Sequence, residues 1–150
     1  MPTLTTYSTK IIPDWVDYNG HLRDAFYLLI FSYATDALMD RLGLDSNSRE
    51  ASGHSLFTLE LHLNYLHEVK LDADVEVHTQ IIGHDSKRLH LYHSLHLVAM
   101  TRRWRATSKC CCMSTSPGRV PRPSAKTPWA DCKPWSPNKP TCQPPSTLAE

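Results

Sequence analysis

One segment of the chain, residues 24–42, is apolar on almost every side when it is drawn as an α-helix. Its polar residues form only a thin stripe: Ser32, Thr35, Asp36 and Asp40. A surface helix shows a wider polar face, so we expect other parts of the chain to cover this one. Asp24 suits the first turn and Gly43 suits the C-terminal end, which gives a helix roughly 28 Å long.

Three later segments alternate apolar and polar residues, as strands with one buried face do. They are residues 56–66, 75–82 and 89–98. Residues 3–12 are rich in Thr, Tyr and Ile and predict one more strand before the helix. The polar residues 45–53 are expected to form a loop. This order of elements predicts an α+β fold in which a curved antiparallel sheet is wrapped around a long central helix.

Composition changes abruptly after Val98. Up to that residue 7 Lys/Arg stand against 13 Asp/Glu, and beyond it 9 stand against 2. All nine histidines precede the boundary, whereas all five cysteines and nine of the eleven prolines follow it. The sequence therefore predicts one domain over residues 1–98 and a Pro/Arg/Cys-rich, disordered tail over residues 99–150.

A shifted reading frame would explain part of this tail. The run K-C-C-C-M-S, residues 109–114, is encoded by AAR-TGY-TGY-TGY-ATG and a serine codon. If codons begin at the third base of the lysine codon, they encode Met or Val, then Leu, Leu and His or Tyr. They then encode Val if the serine codon begins TC. We interpret the tail as the product of a frameshift near residues 98–105 and expect the sheet's last strand to be missing or garbled. Such a chain would be less stable and less active than an intact one, and resequencing the gene tests the interpretation.

The residues directly before the helix can carry acid–base chemistry. Asp17, Asn19, Gly20 and His21 lie in a short polar loop that leads into the helix N-terminus, where a developing oxyanion is stabilised. A carboxylate such as Asp17 acts as a base or a nucleophile, and a histidine polarises or transfers protons. The same residue types are common in turns, so residue type alone leaves both interpretations of Asp17 open.

The run D-Y-N-G-H-L-R-D-A-F-Y, residues 17–27, resembles the D-x-x-G-H-x-N-N-A-x-Y signature of hot-dog-fold acyl-CoA thioesterases of the 4-hydroxybenzoyl-CoA thioesterase type. Asp17, Asn19 and His21 also resemble the Asp/Asn/His trio of plant-type acyl-carrier-protein thioesterases. Arg23-Asp24 departs from the usual Asn-Asn, so hydrogen bonding at the helix start should differ. More narrowly, residues 14–32 are similar to betainyl-CoA thioesterases of bacterial carnitine degradation.

This resemblance implies that a small acyl-CoA, with betainyl-CoA as the candidate, is hydrolysed to the free acid and CoA without a cofactor. Asp17 would be base or nucleophile, and the helix N-terminus with Gly20 and His21 would stabilise the oxyanion. A homodimer or higher homo-oligomer is implied as well. Three alternatives stay open: a hydratase or dehydratase on the same fold, a non-catalytic acyl-CoA-binding module, and an inactive truncated remnant.

Aromatic residues crowd the loop and the helix start: Trp15, Tyr18, Phe26 and Tyr27. They could form part of a cage for a quaternary ammonium group, at roughly 0.5–2 kcal/mol per ring, with Asp14 or Asp24 adding negative charge. Ordinary core packing is the alternative, and it is favoured for Phe26 and Tyr27. Both interpretations stay open for the other two rings.

Other classes of site are not indicated by the sequence. No histidine pair has the spacing and carboxylate partner of a metal site, and no glycine-rich phosphate loop is present. Glu60 lies on the polar face of its strand, where it is either a substrate contact in a dimer or a plain exposed residue. We expect no nucleic-acid or membrane partner, and the polar first ten residues predict a cytoplasmic protein.

Overall fold

The structure, a computed structural model, describes residues 3–53, 55–85 and 88–98, together with the backbone of residues 105–115. In chain order its elements are β1 (Leu4–Lys10), a 3-10 turn (Pro13–Trp15), α1 (Asp24–Arg41), α2 (Ser46–Ser52), β2 (Phe57–Tyr65), β3 (Asp74–His84), β4 (Arg88–Leu97) and β5 (Arg105–Thr115).

The five strands form one antiparallel sheet in the order β1-β3-β4-β5-β2. The central strand, β4, pairs with β3 in a register that sets Leu95 opposite Val77 and Leu91 opposite Ile81. Because both residues of such a pair point to the same face, the alternating apolar residues gather on one side of the sheet. That side is the one on which α1 packs, and the α+β prediction is confirmed.

α1 buries the residues that recur at helical spacing: Tyr27, Ile30, Phe31, Ala34, Leu38 and Met39. They belong to one core with the inward residues of β3 and β4. Leu28 and Tyr33, on other sides of the helix, remain 39% exposed. The sheet therefore covers one broad face of α1, and the far side of this apolar helix stays open to solvent in a single protomer.

The segment that we expected to be a polar loop contains α2. Asp45 precedes the helix, and its side chain accepts a hydrogen bond from the backbone N–H of Ser48 at 2.8 Å. Gly53 ends it with φ +69°, a left-handed conformation that glycine adopts without strain. Capping at both ends can form a short helix without apolar periodicity, which explains why the pattern of hydrophobic residues missed it.

Of the two alternatives for the last strand, missing or garbled, the structure excludes the first, and the second stays a prediction. The backbone of β5 pairs with β4 on one side and with β2 on the other, so Leu91 and Leu61 both lie opposite Cys112. Ladder hydrogen bonds use only backbone groups, so a segment without apolar alternation can still occupy a strand position. The sheet thus extends beyond residue 98. Residues 116–150 of the predicted tail lie outside the described residues, and the frameshift stays a prediction.

A chain of hydrogen bonds crosses the core from β1 to α1. Thr6 Oγ1 lies 2.7 Å from Thr79 Oγ1, which lies 2.7 Å from His93 Nδ1, and His93 Nε2 lies 3.1 Å from Thr35 Oγ1. Thr35 donates its own hydroxyl proton to the carbonyl of Phe31 at 3.0 Å, so it must accept from His93 Nε2–H. Burial lowers the pKa of His93 to about 4, so the ring is neutral at pH 7 and its Nδ1 accepts from Thr79.

Candidate active site

The loop before α1 forms a tight turn around the carboxylate of Asp17. Its Oδ1 accepts the backbone N–H of Asn19 at 2.9 Å and that of His21 at 3.0 Å. The Asp17 N–H donates to the His21 carbonyl at 2.8 Å. Gly20 has φ +75° and nothing within 4 Å of a Cβ position, so backbone conformation and not space favours glycine there. The interpretation of Asp17 as a turn residue is confirmed.

The turn is fixed to the rest of the fold by a short antiparallel pairing. The Leu22 N–H donates to the Val69 carbonyl at 2.7 Å, and the Leu71 N–H donates to the Gly20 carbonyl at 3.0 Å. Leu22 is 6% exposed and Val69 is fully buried. Because both side chains are buried and their backbones are hydrogen-bonded, they fix the site loop beside the segment that follows β2.

Hydrogen bonding sets the charge state of Asp17. The backbone N–H of His21 is the main cause that lowers the pKa of this carboxyl below its usual range. The N–H of Asn19 and the charges of His21 and Arg23 act in the same direction, and partial desolvation opposes them. Asp17 is therefore ionised at neutral pH. Its Oδ2 has no hydrogen-bond partner among the described residues, which leaves one oxygen for chemistry.

The backbone donors expected from Gly20 and His21 are already used inside the turn. The Gly20 N–H donates to the Asp17 carbonyl at 3.0 Å, and the His21 N–H donates to Asp17 Oδ1. An N–H group that is bonded within the protein does not stabilise an oxyanion on a substrate at the same time. In this conformation both N–H groups are used within the turn, and the expectation that they face the thioester stays a prediction.

The first turn of α1 offers a different donor. The N–H of Ala25 is bonded to Asp24 Oδ1 at 2.9 Å, and the N–H of Phe26 to the Arg23 carbonyl at 3.0 Å. The N–H of Asp24 itself has no hydrogen-bond partner in the part of the chain that the structure describes. It lies at the positive end of the helix, so it is the backbone group best suited to a developing negative charge.

His21 faces a carboxylate that the sequence did not reveal. Its Nε2 lies 3.3 Å from Oε2 of Glu68, with the two side chains 28% and 73% exposed. Glu68 follows β2 in a polar stretch and belongs to no motif of acid–base residues. Only the pairing between Leu22 and Val69 brings it beside the turn, and sequence periodicity could not show that contact.

The aromatic residues pack in separate pairs and do not form one cage within the protomer. Trp15 stacks on Phe26 with ring centroids 5.8 Å apart. Tyr27 is 4% exposed and meets Tyr65 edge-on at 5.2 Å, which confirms ordinary packing for Tyr27. Tyr18 is 94% exposed. The structure therefore keeps Trp15 at the site as part of a stacked pair and leaves Tyr18 in solvent.

The two carboxylates predicted to contact substrate lie in different places. Asp24 is exposed at the start of α1, and its carbonyl accepts the hydroxyl proton of Tyr65 at 3.3 Å. Glu60 lies in β2 with Oε1 3.1 Å from Nε2 of His62, on the face of the sheet opposite α1. The structure brings Asp24 to the Asp17 turn and does not bring Glu60 there.

The described residues contain neither a group that could hold a metal ion nor a helix that could span a membrane. No group of three or more His, Cys, Asp or Glu residues there is placed to hold a metal ion. No helix there is long and apolar enough to span a bilayer.

Comparison with known sequences gives the following relatives. A betainyl-CoA thioesterase of Pseudomonas aeruginosa is 73% identical over 94 residues, which are 63% of this chain and 59% of that protein. An L-carnitine dehydrogenase/betainyl-CoA thioesterase of Agrobacterium fabrum is 48% identical over 92 residues, 61% of this chain and 19% of that protein. The matched part of the chain thus spans about three fifths of the first relative and a fifth of the second.

Solved structures agree with the fold. A crystal structure of a candidate thioesterase from Pseudomonas putida KT2440 is similar with a TM-score of 0.67 and 61% identity, over 77% of this chain and 73% of that chain. A Staphylococcus aureus protein in complex with CoA has a TM-score of 0.73 and 27% identity, over 100% of this chain and 95% of that chain. The Thioesterase-like superfamily profile matches residues 11–135, and the chain therefore belongs to that family.

Proposed function

We propose that this protein hydrolyses the thioester bond of a small acyl-CoA, with betainyl-CoA as the substrate. One observation carries the proposal: the ionised Asp17 carboxylate has one oxygen held by the turn and one oxygen open, in the loop that leads into an unpaired N–H at the start of α1. The 73% identity to a betainyl-CoA thioesterase supports the choice of substrate.

The reaction needs a nucleophile at the thioester carbonyl and a donor for its oxygen. Asp17 Oδ2 either takes a proton from the attacking water or attacks the carbonyl itself, forming an anhydride that water then hydrolyses. The Asp24 N–H donates to the oxygen as it becomes negative. The C–S bond breaks when the tetrahedral intermediate collapses, which in the nucleophilic route is the step that forms the anhydride. CoA leaves as the thiolate, the proton removed from water passes to the thiolate or to solvent, and the acyl group leaves as a carboxylate. The lowered pKa of Asp17 keeps it anionic before the reaction begins but weakens it as a base.

The surroundings of the turn suit a cationic acyl group. Three residues near Asp17 in sequence can attract a cation. Trp15 and Phe26 stack their rings, and Asp24 offers an exposed carboxylate at the start of α1. A trimethylammonium group is attracted both to the face of an aromatic ring and to a carboxylate. A neutral acyl group of the same shape would gain neither attraction.

We also propose a homodimer, formed through the open edge of β2. This strand pairs only with β5 among the described strands, and three of its side chains are more than half exposed: Phe57 at 56%, Leu59 at 63% and Tyr65 at 53%. Antiparallel pairing with the same strand of a second copy would satisfy the edge and cover these side chains. A Leu59→Lys variant should then be monomeric by light scattering; a dimer of unchanged strength would refute this edge.

Hydrolysis of CoA thioesters would place the protein in the cytoplasm, where CoA is available as a substrate. This location is part of the same proposal and depends on the activity. A cell fractionation that recovered the protein outside the cytoplasm would contradict it.

A thiol reagent tests the activity with a panel of acyl-CoAs. Betainyl-CoA should release CoA at least about fivefold faster than 3,3-dimethylbutyryl-CoA, its uncharged analogue of the same shape, given the usual strength of cation–π contacts. Equal rates would contradict the choice of substrate. Conversion of an enoyl-CoA without release of thiol would favour a hydratase, and tight binding of acyl-CoA without turnover would favour a binding module or an inactive remnant.

A further inference from the structure

The pairing beside the turn places Glu68 where it acts on two residues of the site. Its Oε2 lies 3.3 Å from Nε2 of His21. Burial is the main cause that raises the pKa of Tyr27, and the charge of Glu68 adds to it. Glu68 is therefore the carboxylate that faces the His21 ring and acts electrostatically on the Tyr27 hydroxyl.

This contact follows from backbone geometry and not from a chance side-chain conformation. His21 is joined to Lys70 by a backbone bridge, and its neighbour Leu22 is bonded to Val69 at 2.7 Å. Leu22 and Val69 are both buried, so the residues next to them in sequence have little freedom to move apart. Glu68 and His21 are those two neighbours, and their side chains meet at the edge of the core.

A carboxylate next to one imidazole nitrogen decides which nitrogen carries the proton. An ionised carboxylate only accepts hydrogen bonds, so the facing Nε2 must be protonated. In the neutral ring Nδ1 then has a free lone pair. Without the carboxylate, a neutral imidazole exchanges between both tautomers, with Nε2–H the more populated one, so Glu68 would turn a preference into a single tautomer.

We infer that Glu68 is a positioning residue, which holds His21 as the Nε2–H tautomer and so presents Nδ1 as a hydrogen-bond acceptor in the site. Its effect on turnover depends on the proposed function, whereas the tautomer itself does not. An accepting Nδ1 can orient the hydrogen of a bound water, whereas a donating Nδ1–H cannot. The tautomer therefore decides which hydrogen bond the free nitrogen of His21 offers to a water in the site.

The tautomer is measured by ¹⁵N NMR of the full chain labelled at histidine, at pH 8.5, where an ordinary imidazole is neutral. The signals of His21 are assigned by their loss in His21→Gln. Wild type and Glu68→Gln should both show protonated Nε2, because the glutamine carbonyl can still accept. Glu68→Ala should show a mixture of both tautomers. An unchanged Nε2–H signal in Glu68→Ala would overturn the inference.

A matched control removes another carboxylate that faces a histidine. Glu76 lies 3.6 Å from Nε2 of His78 on β3, on the face of the sheet opposite α1. Glu76→Ala should leave the His21 signals as they are in wild type. A change of His21 in this variant would mean that the tautomer responds to general charge or folding, which would also overturn the role of Glu68.

Thiol release then tests the positioning role. In Glu68→Ala kcat/KM should fall by about two- to fivefold, in line with the modest strength of exposed ion pairs, and Glu68→Gln should restore most of it. A mixed tautomer with full activity in Glu68→Ala would show that the tautomer has no bearing on catalysis. If wild type itself releases no thiol, the proposed function fails, and the NMR result still decides the tautomer.

Discussion

At the scale of single residues, Asp17 closes a turn, and the structure leaves room for the proposed catalytic role that the sequence presented as an alternative. Its Oδ1 closes the turn by accepting two backbone N–H groups, and its Oδ2 is open. The motif located this residue, together with Asn19, Gly20 and His21. It could not show that the turn uses up the N–H groups of Gly20 and His21, because that depends on how the backbone closes on itself.

Two further residues, Glu68 and His93, show what sequence patterns can reveal and what they cannot. Glu68 reaches His21 through a long-range backbone pairing that has no periodic signal. His93 could have been found, because it falls on the inward positions of a strand whose neighbours Leu91 and Leu95 are apolar. Alternation predicted that the side chain of His93 points into the core. Only the contacts with Thr35 and Thr79, and the further contact of Thr79 with Thr6, explain how both ring nitrogens find hydrogen-bond partners there.

His93 makes stability depend on pH. Burial lowers the pKa of this histidine to about 4 in the folded protein, compared with about 6.5 in an unfolded chain. The unfolded state therefore binds the proton more readily, so stability is full above about pH 6.5 and falls as the pH decreases towards about 4. The loss over this window should be on the order of 3 kcal/mol.

Urea unfolding of wild type and His93→Gln between pH 4 and 8 measures this effect. Glutamine can still donate and accept hydrogen bonds at this position but does not titrate. The difference in free energy of unfolding between the two proteins should narrow as the pH falls from about 6.5 to about 4. A difference that stays constant over the whole range would refute a neutral, buried His93.

At the scale of elements, periodicity predicted the long helix and three of the strands, and residue composition predicted β1. Helical spacing located α1, and alternation located β2, β3 and β4 to within a few residues. Hydrophobic periodicity did not predict α2 or β5, because other interactions determine these two elements. α2 depends on the capping residues Asp45 and Gly53, and β5 is held by backbone pairing with strands on both sides.

The contact between α1 and the sheet should dominate stability. Phe31 is 1% exposed, and its ring stacks on His93 with centroids 5.8 Å apart. Phe31→Ala should lower the free energy of unfolding by about 3–5 kcal/mol, because it leaves a cavity between helix and sheet. Leu28→Ala, on the exposed side of the same helix, should cost less than about 1 kcal/mol. Equal effects in urea unfolding would contradict the assigned faces of α1.

At the scale of the whole molecule, β5 decides whether the sheet is one unit. It lies between β4 and β2, so without it both strands would lose ladder hydrogen bonds and β2 would lose its only neighbour among the described strands. Composition suggested a domain that ends at residue 98, because the tail has no apolar alternation. The backbone pairing shows that the sheet needs residues beyond that boundary.

Two truncations test this dependence. A chain that ends at Thr115 keeps all five strands and should unfold in one cooperative transition by circular dichroism. A chain that ends at Val98 lacks β5 and should show no such transition, because β2 has then nothing to pair with. Cooperative unfolding of the shorter chain would show that β5 is dispensable, and would return the domain boundary to residue 98.

We propose that Asp17 performs chemistry in addition to closing the turn, and thiol release by Asp17→Asn is the measurement that decides this. Asparagine retains a carbonyl oxygen that can accept the N–H groups of Asn19 and His21, so the turn and the melting temperature should be preserved. With the carboxylate gone, kcat for betainyl-CoA should fall at least about 100-fold. A folded Asp17→Asn protein with kcat within a few-fold of wild type would contradict the account.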